Sequence, residues 1–131
     1  NVSGELAEKQ IEKNILVLEI ESEIGVINAA VGSSITGAKT MIGTSGGGFD
    51  LMTESLSLAG IAEIPLVIYL AQRPGPSTGV ATYTSQGDLN LALHAGHGEF
   101  SRLVIAPGDP QESIEATNLC FHFSKQYFQQ R

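Results

Sequence analysis

Apolar positions along the chain change their period several times, and each change marks a predicted element. Glu5 to Lys13 sets Leu6 and Ile11 among charges, a helical pattern. Ile15 to Ile20 (ILVLEI) is a compact run of Leu and β-branched residues, which predicts a buried strand. After Ser22, Ile24, Ile27, Ala30 and Val31 recur at spacings of three and four, the face of a helix that should end near Gly37. Thr40 to Gly43 reads as a short strand, Thr44 to Gly48 as a Gly-rich turn, and Phe49 to Ala62 as a helix. Pro65 opens LVIYLA, the clearest strand in the sequence, and a Gly/Pro/Thr loop follows from Gln72 to Ser85. Gln86-Gly87-Asp88 leads into a short helix through His94, and Leu103 to Ala106 predicts another strand. Asp109-Pro110 starts a last helix, where Pro suits the first turn. Ile114, Phe121 and Phe128 recur every seven residues along it and should form its buried stripe.

Strands that alternate with helices, in apolar runs rather than period-two patterns, imply a parallel sheet covered on both faces. The expected fold is therefore α/β: a three-layer α/β/α domain with a parallel sheet. The chain opens inside a helical pattern and stops at Arg131 with no strand after the last helix. It is accordingly expected to be a piece of a longer subunit, truncated at both ends.

Length and charge narrow the function classes. With 131 residues the chain matches one domain. Seven basic against fourteen acidic residues give a net charge of −7, which argues against a nucleic-acid or anionic-membrane surface. From Ile24 to Gly98 only six positions are charged, yet thirteen of the fifteen glycines lie there. Such a middle suggests close backbone approaches and a surface covered by a partner or a ligand. A single cysteine, Cys120, excludes an internal disulfide and any cluster held by several thiolates of this chain. The longest apolar runs fall far short of the roughly 20 residues that span a bilayer, and the cytoplasm is the expected compartment.

In open parallel sheets, ligands bind beyond the carboxyl ends of the strands. Those ends carry Glu21 to Glu23, then Gly43 to Gly48, then Ala71 to Ser85, so an acid, a Gly-rich turn with Thr44 and Ser45, and Arg73 should converge. Taken singly, each has a plain reading: Glu23 as a first-turn acid, Arg73 as a loop cation, the glycines as turn formers. The turn lacks the Lys of a phosphate-binding P-loop, and Leu51 stands where a dinucleotide fingerprint needs its third Gly. Gly43-Thr44-Ser45-Gly46-Gly47 does satisfy G-x-S-x-G. That leaves a serine hydrolase open, with Ser45 as nucleophile, Asp88 or Asp109 as the acid and His97 or His122 as the base. His94 and His97, three apart, could share a helix face as metal ligands, but no third ligand has a persuasive position. A non-catalytic α/β interaction module is a further alternative.

Five strings in order, ESEIGVINAAVGSSITGAKT (Glu21 to Thr40), TSGGGFDLMTESL (Thr44 to Leu56), PLVIYLAQRPGPSTG (Pro65 to Gly79), QGDL (Gln86 to Leu89) and HGEFSRLVIAPG (His97 to Gly108), carry a resemblance. Together they resemble the α subunit of 2-oxoacid:ferredoxin (or flavodoxin) oxidoreductases, in the domain that binds the aminopyrimidine half of thiamine diphosphate. Arg73-Pro-Gly-Pro-Ser-Thr-Gly79 is the most specific piece, whereas a T-S-G-x-G turn is common to several thiamine-diphosphate enzymes. Gly47 replaces the proline of the family's usual T-S-G-P-G, and Ser101 replaces the proline of its H-G-E-F-P-R. The family's Y-P-I-T-P segment would lie before this chain begins.

The resemblance implies a thiamine-diphosphate-binding fold over 1–131, one pyrimidine-binding domain, and assigns roles within it. Glu23 would bond to an aminopyrimidine ring nitrogen and promote cofactor activation. Arg73 would take the substrate carboxylate through its guanidinium fork. Thr44, Ser45 and Gly46 would line the cofactor pocket. The implied activity is oxidative decarboxylation of a 2-oxoacid to acyl-CoA and carbon dioxide, with electrons passed to ferredoxin. Magnesium and the iron–sulfur cluster would come from partner subunits or domains, so a hetero-oligomer with a β subunit is expected and activity alone is not.

Overall fold

The computed structural model describes residues 2–128. Helices α1 (Val2–Glu8) and α2 (Gln10–Lys13) come first, broken at Lys9 and ended by Asn14 in a left-handed conformation. Helix α3 (Glu23–Ile35) follows. Its start is fixed by Ser22, whose Oγ accepts from the Gly25 N–H at 3.2 Å and satisfies one of the orphan donors of the first turn. Strand β1 (Met41–Ser45), helix α4 (Gly46–Leu51), helix α5 (Thr53–Ile61) and strand β2 (Val67–Ala71) complete the central unit. Helices α6 (Leu89–His94) and α7 (Pro110–Phe128) close the chain.

Strands β1 and β2 pair in parallel, with Met41 opposite Val67 and Ser45 opposite Ala71. The α/β class and the parallel sheet therefore match expectation. Ile42 and Ile68 share one sheet face, and both pack into the core formed with Ile27, Ala30 and Val31 of α3 and with Met52 and Ala59. Helix α3 packs on β1 and against α5, α4 packs against both strands, and α7 packs against β2. A polar tie crosses the core edge: buried Ser34 donates from Oγ to the Pro65 carbonyl at 2.5 Å, holding the end of α3 to the lead-in of β2.

Several expectations fail in instructive ways. Ile15 to Ile20 is not a strand: it has no ladder partner among the described residues, and Leu16 and Leu18 are 78% and 62% exposed. Ile20 instead folds onto the first turn of α3, reaching Gly25. Leu103 to Ala106 is likewise irregular, with Leu103 and Val104 exposed. An apolar run states a wish for burial, but a strand also needs a neighbour for its N–H and C=O groups. The helix predicted over Phe49 to Ala62 starts earlier, at Gly46, and is divided at Met52, which ends α4 and precedes α5. The stripe expected on α7 is also absent at its start, since Ile114 is exposed and Phe121 half-buried. The Phe128 side chain lies outside the described residues.

Candidate cofactor and substrate site

Parallel pairing puts the carboxyl ends of β1 and β2 side by side, so Ser45 and the residues just past Ala71 meet although far apart in sequence. Arg73, two residues beyond β2, donates from Nη2 to Ser45 Oγ at 2.5 Å and from Nη1 to the Ala81 carbonyl at 3.3 Å. Ser45 is the N-cap of α4 but makes no side-chain capping bond, its hydroxyl oxygen being taken by the guanidinium. A cleft of about 280 Å³ opens here, walled by Ser45, Gly46, Gly47 and Arg73, by the loop through Pro76, Ser77 and Thr78, and by Asp50 and Asp88. Among the described residues Arg73 forms no ion pair with either acid, so its charge meets only neutral oxygens.

The glycine triplet has a different reason at each position. Gly46 and Gly48 stand two apart in the first turn of α4, so their missing side chains would point to opposite sides. A Cβ on Gly46 would lie 2.7 Å from both carboxylate oxygens of Asp88. A Cβ on Gly48 would lie 2.7 Å from Glu23 Cγ and 3.0 Å from Glu23 Oε1, and would collide with Thr44 Oγ1. Only Gly47 has room, its nearest neighbour being Thr78 Cγ2 at 3.6 Å. The turn is thus clamped between two acids. Half-buried Glu23, placed by the Ser22 cap, makes no hydrogen bond or ion pair through its carboxylate among the described residues.

The structure therefore gathers the expected site residues in two groups. Arg73, Ser45 and Gly46 share the cleft, while Glu23 and Thr44 meet on the Gly48 side of the same turn and do not line it. In the sequence Asp88 reads as a helix entry and a candidate triad acid, and it lies near the His94 and His97 pair. It does stand at the N-cap position of α6, but without a capping bond, and its Oδ2 is buried with no hydrogen-bond partner among the described residues. Gln72 was missed altogether: its Oε1 accepts from the Asp88 N–H at 3.0 Å and so ties the segment before α6 to the residue preceding Arg73. No spacing rule announces such a bond.

The HGEFSR segment is a structural clasp. The Phe100 ring lies against Gly60 and Gly96, and the Arg102 guanidinium stacks on it with Cζ 4.4 Å from the ring centroid. Arg102 then donates to the Ala92 and Ala95 carbonyls at 3.2 and 2.6 Å, satisfying the C-terminal end of α6 with a positive charge. Burial lowers the Arg102 pKa from its ordinary value.

The hydrolase reading finds no support. No histidine is among the residues lining the cleft, and Ser45 Oγ accepts from Arg73. Asp109 caps α7 through the Glu112 N–H at 2.8 Å, while His122 meets Phe123 edge-on at 6.0 Å. The His97 backbone N–H donates to Ser57 Oγ at 2.7 Å, with its side chain exposed. Among the described residues no three His, Cys, Asp or Glu side chains gather to hold a metal ion, and no helix is long and apolar enough to cross a membrane.

Known proteins point the same way. Residues 2–129 match the family described as pyruvate flavodoxin/ferredoxin oxidoreductase, thiamine diphosphate-binding. The chain is 45% identical over 116 residues to the 2-oxoacid:ferredoxin oxidoreductase subunit alpha of Saccharolobus solfataricus, covering 88% of this chain and 18% of that protein. It is 41% identical over 111 residues to the 2-oxoglutarate synthase subunit KorA of Archaeoglobus fulgidus, covering 82% of this chain and 32% of that protein. The solved 2-oxoglutarate:ferredoxin oxidoreductase of Magnetococcus marinus, with 2-oxoglutarate, coenzyme A and succinyl-CoA bound, superimposes with a TM-score of 0.89 at 36% identity. That match covers 94% of this chain and 22% of the other. The chain thus spans about a fifth to a third of the length of these relatives, and by sequence and by fold it belongs to the thiamine diphosphate-binding family of the pyruvate flavodoxin/ferredoxin oxidoreductases.

Proposed function

We propose that residues 1–131 are one pyrimidine-binding domain of the α subunit of a 2-oxoacid:ferredoxin oxidoreductase. The assembled enzyme would decarboxylate a 2-oxoacid oxidatively to acyl-CoA and carbon dioxide and pass the electrons to ferredoxin. A β subunit, magnesium and an iron–sulfur cluster supplied by partners, and a cytoplasmic location belong to the same reading. The observation that carries it is the pair of groups on one Gly-rich turn: among the described residues, an acid without a partner on one side and a guanidinium without a counter-ion on the other.

The residues fit the cofactor. With no Cβ at Gly48, the Glu23 carboxylate lies directly against the turn and beside Thr44, and it stays available to a ring nitrogen that can carry a proton. Thiamine diphosphate, when bound, supplies a carbon nucleophile and an electron sink, chemistry no side chain here offers. Glu23 would hold the aminopyrimidine through that hydrogen bond, which is strengthened by partial burial. Thr44 would line the cofactor pocket beside Glu23, and Ser45 and Gly46 would bound it from the cleft side of the turn. Arg73 would exchange its neutral acceptors for a substrate carboxylate, a stronger partner for a guanidinium fork.

The test is Glu23→Gln in the full α subunit assembled with its β partner. Glutamine keeps the shape and loses the charge, so 2-oxoacid-dependent dye reduction should fall at least tenfold while subunit assembly persists. Reduction at the wild-type rate would remove Glu23 from this role.

A further inference from the structure

Gln72 is the first residue past the ladder and immediately precedes Arg73. Beyond Ala71 the strand pairing has ended, and none of the backbone N–H groups from Gln72 to Gly75 has a backbone partner among the described residues. Pro74 and Pro76 have no N–H to offer. Side chains hold the segment instead. On one side the Arg73 guanidinium reaches Ser45 and the Ala81 carbonyl. On the other, half-buried Gln72 accepts through Oε1 from the Asp88 N–H at 3.0 Å, sixteen residues on. Asp88 is a firm post, because its carbonyl accepts from the Ala92 N–H at 2.9 Å as α6 begins and its carboxylate lies against Gly46. Gln72 itself does not line the cleft that Arg73 walls.

We infer that Gln72 is a positioning residue for Arg73: its hydrogen bond to the head of α6 fixes where the arginine backbone leaves β2, and so aims the guanidinium at the carboxylate of a 2-oxoacid. The inference rests on the anion role proposed for Arg73. A guanidinium sits at the end of a long, flexible stem, and its fork recognises a carboxylate through two parallel bonds only when its plane is set. Ser45 and the Ala81 carbonyl steady it while no ligand is bound, but a carboxylate competes with both for the same N–H groups. The Gln72 bond engages no atom of the Arg73 side chain, so it persists when the carboxylate arrives. Without it, the stem of Arg73 has to be ordered afresh at each binding event, and affinity for the acid falls by roughly three- to tenfold.

The experiment follows dye reduction by the full α subunit assembled with its β partner, with pyruvate and 2-oxoglutarate as substrates and thiamine diphosphate saturating. Gln72→Leu removes the acceptor. It should raise KM roughly three- to tenfold for whichever acid the wild type uses, with kcat within about twofold, the pattern of lost substrate binding. Thiamine diphosphate affinity, read by equilibrium dialysis, should not change. Arg73→Ala should raise KM further, and adding Gln72→Leu to it should change nothing more, because no guanidinium remains to be placed. Gln72→Asn, one methylene too short to reach the Asp88 N–H, should behave as Gln72→Leu does and replaces it if the leucine variant fails to assemble. A wild-type KM in the Gln72 variants, a fall in kcat or cofactor affinity without a rise in KM, or an additive double variant would overturn the assignment of Gln72 and leave Arg73 standing. Failure of both Gln72 variants to assemble would make the residue one of folding and overturn it too. A wild-type KM in Arg73→Ala would overturn the anion anchor itself.

Discussion

Substituting Gly48 by alanine separates local stability from site geometry. Inside α4 an alanine gains about 1 kcal/mol of helix propensity over glycine. Its Cβ, however, would stand 2.7 Å from Glu23 Cγ and against Thr44 Oγ1, where ordinary contact begins at 3.4 Å. Overpacking of this kind costs about 1–3 kcal/mol, so the net change in stability should lie between zero and about 2 kcal/mol. Relief requires both Thr44 and Glu23 to rotate away from the turn. In the role proposed for Glu23, its rotation forfeits a charge-assisted hydrogen bond to the cofactor, about 1.5–3 kcal/mol or roughly ten- to a hundredfold in affinity. The assay is equilibrium dialysis of thiamine diphosphate against the assembled α–β complex, with melting followed in parallel. Gly47→Ala is the control, because its Cβ meets only Thr78 Cγ2 at 3.6 Å. A folded Gly48→Ala complex with wild-type cofactor affinity would refute the reasoning, as would equal damage in Gly47→Ala.

Other expectations concern the periphery of the site. Arg102→Met removes two hydrogen bonds to the end of α6 and the stack on Phe100, and should cost about 2–3 kcal/mol, read as a lowered urea midpoint and faster proteolysis between α6 and α7. Gly60→Ala drives a methyl into the Phe100 ring and should cost about 1–3 kcal/mol in the same assay, while a neutral result would mean that the ring is free to move. Burial raises the Cys120 pKa, so less thiolate is present near neutrality than for a free cysteine. Its alkylation should be slow at pH 7.5 and rise with pH along a curve displaced upward from that of a small thiol, and coincident curves would contradict this.

What the sequence conveyed depended on how local the cause was. Helix α3 was legible because Ser22 and the spacing of Ile27, Ala30 and Val31 all act within a few turns. LVIYLA was legible because its composition suits few other structures. Ile15 to Ile20 is similarly rich in Leu and β-branched residues but forms no ladder among the described residues, since pairing depends on a neighbour that a run of side chains does not specify. At the site, position relative to strand ends placed Ser45 and Arg73 together. The separation of Glu23 from their cleft was hidden, because it follows from which side of one helical turn each glycine faces. Asp88 was visible as a residue type at a capping position, but the direction its carboxylate takes is a tertiary fact.

The meeting of Ser45 with Arg73 exists only because β1 and β2 are in register. Neither strand alone, nor any partly folded chain lacking the ladder, can present both groups to one ligand. An anion held there is therefore linked by mass action to the pairing of the strands, and raises its free energy of opening by RT ln(1 + [L]/Kd), about 2.7 kcal/mol at a hundredfold excess over Kd. Amide hydrogens of the ladder should exchange more slowly as that ligand is added, so the protection of a strand pair becomes a measure of occupancy at its tip.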